Sequence, residues 1–277
     1  LASLKRTELL TKKIKTNKPD LLISFCSPEA SRIAFGLGIP HIAFSDSPHA
    51  RAVMKLSLPY VTKLLTPWII PKKDFKEFGI NSRNIIQYRA IDAGVIIKNY
   101  RKTRKSKSNV KKTILIRPEE SEAAYINKES KTIKIIEKII EKFPDEKKIV
   151  LSRYKEQSNE VKRVFGKDVF IFSKPVSGKD LLDSVDCFVG SGGTMTAEAG
   201  LLGIPTISMN SVPNRIEDFL VKNKIIIRSE SPNRISKEVF QSLNNINIIN
   251  KRKQNARKIV ASFEDPYQVL LKTIRTL

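Results

Sequence analysis

Gly190-Ser-Gly-Gly-Thr-Met-Thr-Ala-Glu198-Ala-Gly200 is the segment whose residue types and spacing are best suited to chemistry. Its apolar lead, Asp186-Cys-Phe-Val, reads as a buried strand ending at Gly190, and a helix is expected to begin near Thr194. In open α/β sheets, ligands bind at strand carboxyl ends. Glycines let the backbone approach a ligand closely. The amides of Gly192, Gly193 and Thr194, with the positive end of the helix dipole, form an anion site, and the hydroxyls of Ser191 and Thr194 add donors. Glu198 falls one turn after Thr194 on the same helix face. A carboxylate touching a diphosphate would repel it, but one turn away it can accept hydrogen bonds from ribose hydroxyls. Phosphate at the loop and ribose at Glu198 is a nucleotide geometry. The segment is neither a Walker loop nor an early GxGxxG fingerprint. On residue types alone, a plain helix cap with Glu198 on a solvated face stays open beside this reading.

Other reactive residues fall at predicted strand ends. Arg117, Glu119 and Glu120 follow an expected strand at Thr113–Ile116, and Arg153 and Lys155 follow one at Lys148–Ser152. Cations at adjacent strand ends suit a diphosphate. In the first half, Asp46 and His49 follow the strand His41–Phe44, on the side of the sheet where ligands bind. A turn-capping Asp46 with a structural His49 is the alternative. His41, at a strand start, is expected to be structural. Ser27 and Glu29 flank Pro28, and a Ser cap with Pro in the first helical turn explains that trio, leaving a site role open.

The elements that must position these residues alternate between strand and helix. Strands are also expected at Asp20–Phe25, Lys63–Leu65, Asn84–Gln87, Val169–Phe172 and Thr206–Met209. Helices are expected at about Pro28–Leu37, Lys72–Phe78, Lys128–Lys142, Asn159–Phe165, Gly178–Ser184, Met195–Leu202 and Arg215–Asn223. Such alternation argues for parallel, doubly wound sheets. Leu37-Gly-Ile-Pro-His-Ile42 echoes Leu202-Gly-Ile-Pro-Thr-Ile207, which favours two lobes built alike. Residues 1–97 form the first lobe of this reading, 98–112 a linker, 113–261 the nucleotide-binding lobe, and 262–277 a terminal helix that can return to the first lobe.

With 277 residues, 40% hydrophobic and 29% charged, the chain reads as a globular protein of two domains. No apolar run reaches membrane-spanning length. The opening lacks Met and a signal core, so the chain is expected to be a fragment whose beginning is missing. Cys26 and Cys187 lie in apolar runs without metal-ligand spacing, so no metal site is expected and the thiols read as reduced and cytosolic. The net charge of +23 attracts anions, and eight basic residues without an acid crowd into Lys98–Lys112. Only 7% of residues are aromatic, and none interleave with the basic runs. Nucleic acid is therefore the weaker partner, and a general bias toward Lys explains the charge equally well.

The run from Gly190 to Ile207 resembles the donor-nucleotide segment of GT-B glycosyltransferases and non-hydrolysing UDP-N-acetylglucosamine 2-epimerases. Ser191 to Glu198 has the spacing of the Ser-Gly-x-x-x-x-x-Glu pattern in the peptidoglycan N-acetylglucosamine transferase. The wider sequence is similar to the largely archaeal DUF354 family. Ser27-Pro-Glu-Ala30, Gly36-Leu-Gly-Ile-Pro-His41, Asp46-Ser-Pro-His-Ala50, Ile116-Arg-Pro-Glu119 and Arg153-Tyr-Lys-Glu-Gln157 carry that likeness. The resemblance implies a GT-B-like α/β fold, two Rossmann-like lobes with parallel sheets facing a cleft, the first lobe incomplete at its N-terminus because the family's opening strand–helix–strand is absent. It implies a nucleoside-diphosphate sugar as donor, a glycan or lipid-linked acceptor, and neither cofactor nor metal. His49 or Asp46 would then be the base, with Ser191, Gly192, Gly193, Thr194, Glu198, Arg117 and Arg153 on the nucleotide. Ser27, Glu29, Glu119, Glu120 and Lys155 complete the cleft candidates. A 2-epimerase of the same fold is the alternative, with Glu119, Glu120 or Glu29 near the sugar C2. A charge-driven nucleic-acid-binding or non-catalytic protein is the third reading. The basic surface suits a cytoplasmic protein that touches an anionic membrane peripherally.

Overall fold

A computed structural model describes residues 2–98, 111–119, 131–172, 176–209 and 212–277. Glu120 and nearly all of the basic run at 98–112 lie outside the described residues. The chain divides into two compact units, residues 1–95 with 263–277, and residues 96–262. Among the described residues, no helix is long and apolar enough to cross a membrane.

The first unit is built on four parallel strands, β1 (Leu22–Ser24), β2 (His41–Phe44), β3 (Lys63–Pro67) and β4 (Ile85–Tyr88), in the order β1-β2-β3-β4. Each coincides with a short apolar run; β2 and β3 are largely buried, as expected of central parallel strands, whereas β1 at the edge is partly exposed. Between β1 and β2 runs the helix Pro28–Gly36, capped by Ser27, whose Oγ accepts from the Ala30 amide at 3.3 Å. It ends at Gly38, which adopts φ 68°, and the Ile39 amide donates back to the Ala34 carbonyl at 2.9 Å. Gly203 repeats that ending, with φ 74° and a 3.0 Å bond from the Ile204 amide to the Ala199 carbonyl. Both glycines close a Schellman cap, so the repeated Leu-Gly-Ile-Pro is one helix-ending device used twice.

A helix that the sequence pattern did not announce, Ala2–Asn17, packs on Pro28–Gly36. Glu29 fastens the two. Its Oε1 accepts from the Arg6 guanidinium at 2.8 Å and from the Ser3 hydroxyl at 2.9 Å, and its Oε2 accepts from Ser27 at 3.2 Å. The Arg6 bonds are the main reason its carboxyl is pulled down to about 2. A carboxylate lowered by folding stabilises the fold above its ordinary value of 4.5 and loses that contribution as pH falls toward 2. Glu29→Gln should therefore cost about 1 kcal/mol at pH 7 and nothing near pH 2, a modest figure because Arg6 is largely exposed. Thermal unfolding of the pair across that range is the check.

The segment 263–277 joins the first unit. The Glu264 amide donates to the Arg89 carbonyl at 3.0 Å, and Phe263 meets Trp68 edge-on at 5.9 Å. The Phe263 ring fills the space that a side chain at Gly94 would need, with an added Cβ only 2.2 Å from it.

The second unit holds six parallel strands, β5 (Thr113–Arg117), β6 (Lys147–Val150), β7 (Phe170–Ile171), β8 (Cys187–Gly190), β9 (Thr206–Ser208) and β10 (Ile226–Arg228), in the order β10-β9-β8-β5-β6-β7. Alternate residues face opposite sides. Ile114, Ile116, Val189 and Ile207 enter one apolar cluster, while Leu115, Ile149 and Phe188 enter another. Both faces are thus covered by helices, the doubly wound arrangement. Strand β10 and the helices Pro232–Asn244 and Ile246–Ala261 were not anticipated from the sequence pattern. The helix expected at Asn159–Phe165 begins earlier, at Lys155.

Candidate functional site

The order of the second sheet decides where a ligand can sit. From β5 the chain steps outward to β6 and β7, then returns to lay β8 against the other side of β5. Connections therefore leave in opposite directions at the β5–β8 boundary, which opens a crevice at the strand carboxyl ends. Arg117 ends β5 and is paired in register with Gly190, which ends β8, and Gly190 is paired with Ser208, which ends β9.

Beyond Gly190 the backbone turns through two glycines and enters the helix Gly193–Leu201. Gly192 has φ 81° and ψ −164°, and Gly193 has φ 76°. The first of these conformations is open essentially to glycine alone. An added Cβ at Gly190 would lie 2.4 Å from the Phe188 ring and 2.9 Å from the Thr196 hydroxyl. At Gly193 it would meet nothing within 4 Å, so the space before the loop is open. Thr196 Oγ1 donates to the Gly192 carbonyl at 2.7 Å and holds the turn. The helix has no side-chain cap, which leaves its first amides for an external acceptor. Ser191 Oγ and Ser208 Oγ are buried and have no hydrogen-bond partner among the described residues.

Arg117 and Glu198 converge on this loop. The Arg117 Nη1 lies 3.1 Å from the Met195 sulfur in the first helical turn. Glu198, half-buried, has its carboxyl raised by burial, while the Arg117 charge pulls it partly back. A carboxylate raised by folding penalises the fold as pH climbs above its ordinary value of 4.5. Glu198→Gln should accordingly raise the unfolding midpoint at pH 7, and the gain should shrink to nothing below about pH 4. A gain that is constant with pH would contradict the burial of the charge.

Arg153 sits just past the end of β6, with its Nε 3.4 Å from the Pro118 carbonyl, beside the turn that follows Arg117. Glu119 accepts from the Thr132 hydroxyl at 2.5 Å. Lys155 is the first residue of its helix and is exposed. Thr194 is exposed at the loop. In the first unit, Asp46 accepts from the Ser47 hydroxyl at 2.7 Å and His49 is exposed. His41 is fully buried, 2.8 Å from the Ser24 hydroxyl, and burial lowers its ring to about 4. Ser27 and both oxygens of Glu29 are engaged in the helix contacts described above.

One pair escaped sequence reading. The Tyr88 hydroxyl donates to Asp92 Oδ1 at 2.8 Å at the carboxyl end of β4. Burial raises the Asp92 carboxyl, the Tyr88 bond lowers it, and the charge of Asp46 raises it again. Asp46 and Asp92 are thus electrostatic neighbours at the carboxyl end of the first sheet. The strand-end rule that singled out Asp46 would have found Asp92 too, had the helix Asp92–Lys98 been recognised.

Residues 1–276 match the family described as "Protein of unknown function (DUF354)". An uncharacterized protein of Methanocaldococcus jannaschii is 32% identical over 210 residues, covering 72% of this chain and 60% of that protein, so the chain spans well under two thirds of its relative's length. Among solved structures, the UDP-GlcNAc 2-epimerase from Neisseria meningitidis, bound to UDP-GlcNAc, superposes with a TM-score of 0.72 at 14% identity, over 99% of this chain and 81% of the epimerase. The spinosyn rhamnosyltransferase SpnG gives a TM-score of 0.58 at 13% identity, over 99% of this chain and 77% of the transferase. The two parallel-sheet lobes are those of the GT-B glycosyltransferases and UDP-sugar epimerases, and the chain belongs to the DUF354 family.

Proposed function

We propose that this protein binds a nucleoside-diphosphate sugar at the carboxyl edge of its second sheet and transfers the sugar to an acceptor hydroxyl. The observation that carries the reading is the Gly190–Gly193 turn, with a buried Ser191 hydroxyl lacking a partner and an uncapped helix start at the β5–β8 crevice. The amides of Gly192, Gly193 and Thr194 bind the diphosphate, and Ser191 and Arg117 add donors. Arg153, beside the same turn, lowers the potential for the departing anion. Glu198, one helical turn on, accepts from the ribose hydroxyls. In the transfer, the bond between the sugar C1 and the diphosphate oxygen breaks, the acceptor oxygen bonds to C1, and a base takes the acceptor proton. Asp46 and His49 are the candidate bases, and Asp92 joins them. A lipid-linked or glycan acceptor and contact with an anionic membrane fit the charge of +23.

A second reading, the sugar-nucleotide 2-epimerase, is favoured by one finding, the TM-score of 0.72 to an epimerase that holds UDP-GlcNAc. Glu119, two residues after Arg117, is a carboxylate that such chemistry could use. Incubation with UDP-GlcNAc and no acceptor separates the two. Transferase chemistry predicts that the sugar nucleotide stays unchanged or is slowly hydrolysed. Appearance of the C2 epimer would replace the first reading with the second.

A further inference from the structure

One described cavity is lined by no residue of the Gly190–Gly193 turn. It is a groove of about 830 Å³ between the carboxyl end of β6, the edge strand β7 and the outer face of the helix Lys155–Phe165. That volume is within the range of small-ligand sites. Lys155, Ser158, Asn159 and Lys162 recur at helical spacing and form one wall. Phe170 and Phe172, packed edge-on at 5.0 Å, form the other, with Tyr154 and Arg153 at one end. Val150 and Val169 are buried beneath them. Ser152 also lines it, and its buried Oγ has no hydrogen-bond partner.

Two properties of this groove constrain its occupant. Among the described residues, three cations and no carboxylate line it, and Lys147 adds a further charge 5.1 Å from the Phe170 ring centre. It is therefore selective for an anion. It is also two-faced, with hydroxyl, amide and ammonium groups opposite aromatic rings. An alkyl chain would strand the polar wall, and inorganic phosphate would leave the aromatic wall unused. A pyranose ring has hydroxyls at its rim and C–H groups on its faces, so it satisfies both. The helical wall runs from Lys155 to Gly166, roughly 16 Å at the α-helical rise, which accommodates more than one ring.

We propose that this groove binds an anionic oligosaccharide. The proposal stands on the second unit alone and does not require the donor reading. Tetragalacturonate is the probe, titrated calorimetrically at about 0.15 M salt so that diffuse attraction to a basic protein is screened. Saturable one-to-one binding is expected. Phe170→Ala and Lys155→Glu/Lys162→Glu should each weaken it by about tenfold. Lys134→Glu/Lys251→Glu makes the same charge change at exposed positions outside the groove, and should leave it unchanged. All four positions are exposed lysines and Phe170 is 47% exposed, so folding should survive, with thermal unfolding as the check. The proposal is overturned if tetragalacturonate does not bind, if neutral maltotetraose or tripolyphosphate binds as well, or if the control pair weakens binding equally. It is also overturned if the groove variants weaken UDP to the same degree, which would make the groove part of the donor site. Loss of UDP binding by the wild type would remove the donor reading and leave this one standing.

Discussion

Gly192→Ala is expected to weaken nucleotide binding by about a hundredfold or more while the second unit stays folded. Gly192 holds φ 81° and ψ −164° at the centre of the turn, a conformation that an L side chain does not tolerate. The strain costs about 1–3 kcal/mol, which lowers the unfolding midpoint by a few degrees for each kcal/mol without unfolding the unit. The turn relaxes instead, and the amides of Gly192, Gly193 and Thr194 no longer converge on one point. Gly193→Ala is the internal control. Gly193 also has a left-handed φ of 76°, but an added Cβ there meets nothing within 4 Å. Its cost should be about 1 kcal/mol and its loss of affinity smaller. Equal, small effects of both substitutions would show that the turn does not touch the ligand.

Arg117→Met is the second large effect. Met preserves the length and the contact with Met195 while deleting the charge. Arg117 stands at the β5–β8 boundary, in register with Gly190, where a diphosphate at the helix start places its negative charge. Loss of a charge-assisted bond there should reduce UDP affinity by about ten- to hundredfold. It should also push the Glu198 carboxyl further up, because the Arg117 charge is what holds it down. The affinity that remains in this variant should therefore fall further as pH drops through the carboxylate range. Titration at several pH values reads both effects, and a purely structural arginine would alter neither the affinity nor its pH dependence.

The sheets were legible because most strands are short apolar runs set off from the neighbouring helix patterns by charge, glycine or proline. Thr113–Arg117 and Cys187–Gly190 are of this kind. Strand β10 is the counter-example. Ile225-Ile-Ile227 lies between Lys224 and Arg228 and is too short to stand apart from a helix end. Ala2–Asn17 escaped for another reason. It buries only Ile14, so its sequence shows no apolar stripe, and its attachment comes from Arg6 and Ser3 reaching a glutamate more than twenty residues away.

The site divides the same way. The glycine turn and Glu198 are local and could be read from spacing. The helix starts one residue sooner than expected, and the bond that holds the turn comes from Thr196, which spacing did not single out. Arg117 reads as a cation at a strand end, but its position beside Glu198 depends on β8 returning to pair with β5, which no local pattern encodes. Ser208 depends on that same pairing at the next strand. Glu29 shows the opposite outcome, since a residue well placed in sequence for a site is taken up by helix-to-helix contacts.

The most direct test of the central claim is calorimetric titration of the wild-type protein with UDP, GDP and dTDP, alongside Glu198→Ala. At least one diphosphate should bind with a dissociation constant below about 1 mM, and Glu198→Ala should weaken it by about tenfold or more through loss of the ribose bonds. Binding of none of the three to the wild type would contradict a nucleotide site at Gly190–Glu198.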